Sequence, residues 1–397
     1  STRDWSSDVC SSDLPVVRQA VYRPKEEAAC DLGNLGRPEI EKLLFGILGH
    51  PTVASKHWII RQYDHEVQGG SVVKPLVGAS CMGPSDAAVV RPKLNSKRAI
   101  VLACGMNPRF GDIDPYHMAT SAIDEAVRNA VCVGARPDRI AILDNFCWGN
   151  TDKPETLGTL VRAAIACHDL AIQWKTPFIS GKDSLNNEFT WVDPKGEKRS
   201  IAIPCSLLIS AMGQMDDATY AVTMDLKRAG DAVYVVGVTR NELGGSHAAM
   251  LLGKTGGAVP KVDSSLAMRC YERLHQAIRG RLVAACHDLS EGGLAVAVSE
   301  MAFAGELGVE LDLTAYRSSN FVDGTIALFS ESNSRLLVEV APENEAEFAR
   351  LFEGLPAQKV GQVTGDGRVK ITSDGQALVD LPWVDLRDAW RSPLDFR

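Results

Sequence analysis

Between Gly111 and Asn150 the sequence GDIDPYHMATSAIDEAVRNAVCVGARPDRIAILDNFCWGN spells out a complete local unit. It reads as an acidic loop, a helix over about residues 117–132, a turn at 134–137 and a strand at 140–143 that ends in Asp144. Ala122, Ala126, Val127, Ala130 and Val131 supply small apolar packing along the helix, while Glu125 and Asn129 stand four residues apart and share a face. A carboxylate and an amide oxygen one turn apart, near a strand ending in an acid, suit a hard cation such as Mg²⁺ and the phosphates it carries. The competing reading is a solvated surface glutamate beside a helix-interior asparagine, and this stretch alone leaves both open.

The 397 residues suffice for two or three domains with sizeable cores. With 45% hydrophobic and 23% charged residues, the composition is that of a soluble globular protein. A formal charge of −8 and the lack of any Lys/Arg-rich block argue against a nucleic-acid surface, so anionic ligands would have to be held locally. No run of 18 apolar residues occurs, so no membrane span is expected. The ten cysteines contain no C-x-x-C pair, and most sit in apolar runs (Cys104, Cys132, Cys205); they read as reduced core residues of a cytoplasmic protein. Residues 1–14, STRDWSSDVCSSDL, carry no apolar signal region and look like translated adaptor sequence, so they are set aside as non-native. The expectation is that the natural protein continues upstream and that this chain is a piece of it.

Along the chain, residues 15–55 form a linker with one short amphipathic helix, EIEKLLFGILGH, closed by Pro51. A first domain spans 56–225, with buried strands such as RAIVLACG and a second helix at about 156–174. TPFISGKDSLNNEF reads as a short strand breaking into a polar loop, and SIAIPCSLLISAMGQM as one long apolar strand or a pair. A second domain, 228–375, opens with AVYVVGVT and holds NELGGSH, the loop HDLSEGG and the small-residue helix LAVAVSEMAFAG; a tail, 376–397, carries Trp383 and Trp390 and packs back onto a domain. Strands and helices alternate without a regular βαβ cadence, which points to an α+β class with mixed sheets.

Two Gly-containing loops could handle phosphate. SGKDS (180–184) lacks the upstream glycine of a Walker A loop and competes with an ordinary polar turn. In HDLSEGG an apolar strand ends in His-Asp and Gly292-Gly293 opens an Ala-rich helix, which places Asp288 near a cation and Ser290 beside helix-terminal amides; Ser290 could equally be a plain N-cap. CHDL recurs at 167–170 inside a helix and is taken as coincidence. His287, Asp288 and Ser290 are too close in sequence for a hydrolytic triad, there is no G-x-S-x-G elbow, and no Cys/His spacing suits zinc.

Six ordered motifs, YDHEVQ (63–68), SDAAV (85–89), GDIDPYHMATSAIDEAVRN, LDNFCWGN, PFISGKDSLNNEF and HDLSEGGLAVAVSEMAFAG, together resemble the phosphoribosylformylglycinamidine synthases, ATP-dependent amidotransferases of purine biosynthesis. The resemblance runs over about residues 38–375 and is to the second half of the synthetase subunit. It implies an aminoimidazole ribonucleotide synthetase-like N-terminal α/β domain and C-terminal α+β domain, in a superfamily that includes selenophosphate synthetase and thiamine-monophosphate kinase. It also implies cation ligands at Asp86, Glu125, Asn129 and Asp288 and a nucleotide contact at Ser290. Asp144 and Gly181 match ATP-contacting positions of the shorter synthetases, and Ser184 a substrate contact. Lys182 departs from them: a metal-binding asparagine stands there in the shorter enzymes, whereas a lysine would meet phosphate directly.

The implied reaction uses ATP to phosphorylate the amide oxygen of formylglycinamide ribonucleotide, after which ammonia from glutamine displaces phosphate; such chemistry needs positioning and charge neutralisation, supplied by Mg²⁺ and oriented amides. The implied partners are an N-terminal synthetase half, a glutaminase domain or subunit, and a homodimer or pseudo-dimer mate, with no nucleic acid and no membrane. The chain lacks the family's His-rich substrate loop and any glutaminase nucleophile, and large members hold a structural ADP in the second-half site. The expectation is therefore a chain that binds ATP or ADP with Mg²⁺ and turns over poorly or not at all alone. The alternatives are another ATP-dependent enzyme of the superfamily, or a non-catalytic ADP-binding scaffold.

Overall fold

The computed structural model describes residues 17–25, 30–33 and 35–396. Residues 1–14, read above as non-native, lie outside them. Helix α1 (Arg37–Leu48) comes first. The short strands β1 (Ser71–Val73), β2 (Leu76–Val77), β3 (Gly83–Pro84) and β4 (Ala88–Val90) and the longer β5 (Ala99–Gly105) follow. Helix α2 (Pro115–Cys132), β6 (Ile140–Cys147), helix α3 (Pro154–Trp174), β7 (Phe178–Ser184), β8 (Glu188–Val192), β9 (Lys198–Ala202) and β10 (Ser206–Met215) complete the first half. Among the described residues its main sheet has the order β1-β4-β5-β10-β6-β7, antiparallel except for β6 and β7.

Alternation along β10 explains why this sheet has two unlike faces. Leu207, Ile209, Ala211 and Met215 are buried on one side, where α2 packs, and Met212 opens to the other. Helix α2 starts two residues earlier than its apolar pattern suggests. Asp114 caps it by accepting from the amides of Tyr116 (2.8 Å) and His117 (3.3 Å), and Pro115 takes the first-turn position that needs no N–H.

Two local readings change, and a third, left open between one strand and a pair, is resolved. Asp144 does not end its strand, because β6 stays paired with β10 as far as Cys147↔Ser206 and with β7 as far as Cys147↔Ser184. For the same reason SGKDS is strand rather than loop: parallel pairing with β6 carries it through Ser184. The apolar run 200–215 is two strands, split where Pro204 can donate no ladder hydrogen bond.

The second half begins with β11 (Ala232–Val236), helix α4 (Ser264–Arg279), β12 (Ala285–Asp288), helix α5 (Gly293–Gly305), β13 (Gly308–Asp312) and β14 (Leu336–Val340). It ends with β15 (Ala357–Thr364), β16 (Arg368–Ser373), β17 (Gln376–Pro382) and helix α6 (Trp383–Arg391). Its sheet has the order β12-β14-β11-β15-β13-β16-β17, with only β13 and β16 parallel. The fold is thus α+β with mixed sheets. The described cysteines are all free, and no helix of the described residues is long and apolar enough to cross a membrane.

Helix α5 is buried on every side, as its nearly unbroken apolar sequence requires. Helices α1 and α6 lie against it, and so does the β2–β3 hairpin of the first half. That last contact is backbone on backbone. Gly78, at φ 93°, lies where a Cβ would collide with the Ala304 carbonyl, and a Cβ on Gly83 would strike the Ala304 methyl. The tail is tied down too: the Trp390 indole donates to the Val53 carbonyl at 3.0 Å, and the Ser55 amide to the Trp390 carbonyl at 2.9 Å.

A buried polar network joins the halves. Arg128 on α2 donates to Asp124 one turn back and, through Nε (3.2 Å) and Nη2 (3.1 Å), to Asp288 at the end of β12. Asp124 also accepts from Tyr271 Oη (2.6 Å), Ser334 N (2.9 Å) and Ser334 Oγ (2.7 Å). Replacing Arg128 by leucine removes the one cation that both buried carboxylates pair with, and urea denaturation should show a loss of about 3–5 kcal/mol. A second expectation concerns pH. Glu339 on β14 is fully buried and accepts from the amides of Lys227 (2.9 Å) and Arg228 (3.0 Å). Burial pushes its carboxyl up to about 8; those amides oppose the rise and neighbouring Asp231 adds to it. A folded-state pKa above the ordinary 4.5 means the contribution to stability is full below about pH 4.5 and is lost as pH climbs through about 8. Wild-type stability should therefore fall relative to Glu339→Gln between pH 5 and 8.5, a difference that paired thermal melts will show.

Candidate functional site

A cavity of about 230 Å³ opens where α2, the β3–β4 link, the end of β12 and the start of α5 converge. Asp86, Glu125, Asn129, Asp288 and Ser290 all line it, together with Cys104, His287, Glu291 and Glu300. Residues more than 200 positions apart are brought together because the β2–β3 hairpin rests on the far end of α5 and Arg128 draws α2 onto β12.

Asp86 stands two residues past the end of β3, and its side chain is only 1% exposed. Its Oδ1 accepts from the Asp288 amide (3.1 Å) and from His287 Nδ1 (2.7 Å); its Oδ2 is buried with no hydrogen-bond partner. His287 Nε2 lies 3.0 Å from Glu300 Oε2 on α5, so both ring nitrogens face carboxylates. Burial alone would lower the His287 pKa, but Asp86 and Glu300 outweigh it and hold the ring well above the usual histidine range. Burial raises Glu300, with His287 opposing.

Across the cavity, Glu125 Oε2 accepts from the Met106 amide (3.0 Å) and Asn107 Nδ2 (2.7 Å). Desolvation, then the charge of Glu291, pushes its carboxyl well above the ordinary range, against the pull of Arg128. Asn129 Nδ2 donates to the Cys104 carbonyl (3.3 Å), leaving Oδ1 buried and without a partner. Glu291 is raised chiefly by burial. Ser290 does not cap α5; Gly292, in the left-handed region at φ 77°, takes that position. The Ser290 hydroxyl instead donates to Asp288 Oδ2 and accepts from Arg128 Nη2 at 2.8 Å.

The cavity therefore holds more carboxylates than cations, and two orphaned acceptor oxygens, Asp86 Oδ2 and Asn129 Oδ1. An unpaired buried acceptor is costly unless something satisfies it, and oxygen donors of this kind suit a hard divalent cation. Ligand atoms of Asp86, His287 and Asp288 lie within 4.8 Å of one another. With both His287 nitrogens engaged, the set available to a cation is made of oxygens.

The other four predicted residues do not line this cavity. Asp144 and Gly181 are paired across β6 and β7, with a Cβ on Gly181 falling 2.5 Å from Asp144 Oδ1, and Lys182 and Ser184 follow on the same strand. The Lys182 ammonium donates to the Ser184 hydroxyl. Asp144 is raised first by burial and then by Asp183.

Arg128, Glu291 and Glu300 were not singled out in the sequence. Glu300 did leave a signal: an acid inside LAVAVSEMAFAG must find a partner once that helix is buried. Arg128 left a similar one, as a long cation with Asp124 one turn before it on a helix otherwise built for packing.

Models of the AIR synthase related proteins match the chain twice, the N-terminal domain at residues 84–197 and the C-terminal domain at residues 228–374. The phosphoribosylformylglycinamidine synthase subunit PurL of Alkaliphilus metalliredigens is 34% identical over 385 residues, covering 94% of this chain and 49% of that protein. The chain thus spans about half the length of this curated relative. Thermotoga maritima PurL complexed with FGAR superposes with a TM-score of 0.65 at 17% identity, over 88% of this chain and 53% of that one. The same protein complexed with ATP gives 0.65 at 17% over 89% and 52%. A chain of the HypE–HypF complex gives 0.52 at 15% over 75% and 93%. At these identities the structural likeness speaks for the fold. The two domain matches, in order along one chain and joined to the identity with PurL, show that the chain belongs to the AIR synthase related family and carries both its N-terminal and its C-terminal domain.

Proposed function

We propose that this chain is the second half of a phosphoribosylformylglycinamidine synthase and that the acidic cavity is its Mg-nucleotide site. The pair of orphaned oxygens, Asp86 Oδ2 and Asn129 Oδ1, carries the reading, with Glu125 and Asp288 beside them. A divalent cation held by these four residues would neutralise the phosphates of ATP or ADP. The chain's own residues prepare the place. His287 turns Asp86 so that one oxygen faces inward, Asn107 and the Met106 amide fix Glu125, and Arg128 orients Asp288 and Ser290. Asp144, Gly181, Lys182 and Ser184 are proposed as a separate stretch meeting the distal part of the ligand.

In the whole enzyme, ATP would activate the amide of formylglycinamide ribonucleotide and ammonia from a glutaminase partner would complete the amidine. PurL of T. maritima has been solved as PurLQS, which supports such an assembly. The open face of the first sheet supports a mate as well. Leu102 and Met212, paired across β5 and β10, are 39% and 43% exposed, an apolar strip suited to burial against the other half or a second copy of the chain.

Calorimetry with ADP and ATP at varied Mg²⁺ tests the site. Glu125→Gln should weaken Mg-dependent binding about tenfold or more while leaving the fold intact. Unchanged affinity and Mg²⁺ dependence would leave Glu125 a structural partner of Met106 and Asn107 and no ligand of the cation. With ammonium and formylglycinamide ribonucleotide the chain alone should show little or no turnover. For the sheet face, Met212→Glu should shift the chain from dimer to monomer in analytical ultracentrifugation; a monomeric wild type would count against self-pairing.

A further inference from the structure

YDHEVQ, a motif the nucleotide reading leaves unused, is preceded by the helical turn His57–Ile60. That turn, the bend of the β2–β3 hairpin and the end of α6 enclose a hollow of about 260 Å³ lined by His57, Trp58, Arg61, Gln62, Met82 and Arg391. It shares no lining residue with the acidic cavity. The three segments meet because Trp390 ties α6 to Val53 and Ser55, just before the turn, while α6 and the hairpin both rest on α5. One side of the hollow is apolar. Trp58 and Met82 offer a flat ring and a polarisable thioether, and Trp58 stays 39% exposed. Phe396, from the chain's own tail, already meets the Trp58 indole in a T-shaped contact with ring centres 5.0 Å apart, so the indole takes an aromatic neighbour without being covered. The other side is cationic. Among the described residues no carboxylate pairs with Arg61 or Arg391, and Arg391 Nε is buried without a hydrogen-bond partner. His57 is engaged elsewhere, with Nδ1 3.2 Å from Ser55 Oγ and Nε2 3.9 Å from Asp395. The volume is that of a small-molecule site rather than of a single ion, and a guanidinium is a planar fork that matches a carboxylate.

We propose that this hollow binds an aromatic carboxylate, with its ring against Trp58 and Met82 and its carboxylate on Arg61 and Arg391. The assignment rests on these residues and not on the nucleotide reading.

1-Naphthoate is the probe, titrated calorimetrically into the full chain at low salt, with 1-naphthamide as its neutral counterpart. Wild type should bind the acid, more weakly as salt rises, and should bind the amide about tenfold or more less tightly. Arg61→Gln alters an exposed side chain; it should weaken the acid about tenfold and leave thermal melting and Mg-ADP affinity unchanged. Trp58→Leu should weaken acid and amide alike, and Trp58→Phe should keep most of the binding. Saturating Mg-ADP should not displace the acid. No binding by wild type, equal affinity for acid and amide, unchanged binding in Arg61→Gln or Trp58→Leu, or displacement by Mg-ADP would each overturn the proposal. Binding of naphthoate without binding of Mg-ADP would sink the nucleotide reading and leave this one standing.

Discussion

Everything at the acidic cavity depends on one guanidinium taken out of water. Arg128 lies between Asp124 on its own helix and Asp288 on the other half of the molecule, and its side chain is 3% exposed. An ion of this kind is costly to bury, and the cost is offset only when its donors find acceptors in good geometry. That demand fixes the position of α2 against β12. Glu125 and Asn129 ride on the same helix, so the register that satisfies Arg128 also sets where those two face.

Opposite them, the logic is of alternation between acid and base. Glu300, His287 and Asp86 form a line in which each carboxylate meets one ring nitrogen, and Asp86 is left with one oxygen committed and one not. A buried carboxylate free to rotate would satisfy itself on the nearest donor. Held on Oδ1 by both the ring and the Asp288 amide, it keeps Oδ2 for something that arrives from outside.

Much of this was legible in the sequence because it is local. Helical spacing places Glu125 and Asn129 together, and HDLSEGG announces a strand, a tight turn and a helix. What was not legible came from distant partners. SGKDS looks like a polar turn until β6 supplies a parallel ladder for it. Ser290 looks like a helix cap until Arg128, 162 positions away, claims its hydroxyl. The union of Asp86 with Asp288 likewise has no trace in either segment alone; it arises from the hairpin seated on α5. The separation of Asp144, Gly181, Lys182 and Ser184 from the cavity is of the same origin, since strand order decides it and spacing along the chain does not.

The glycine contact between the β2–β3 hairpin and Ala304 joins the site mechanically. Helix α5 carries Glu300, and the hairpin that leans on its last turn leads straight into Asp86. A shift of α5 would therefore carry both ends of the Glu300–His287–Asp86 line in the same direction. Two acids from different halves of the chain are thereby braced against one helix, and the ring between them keeps both of its partners.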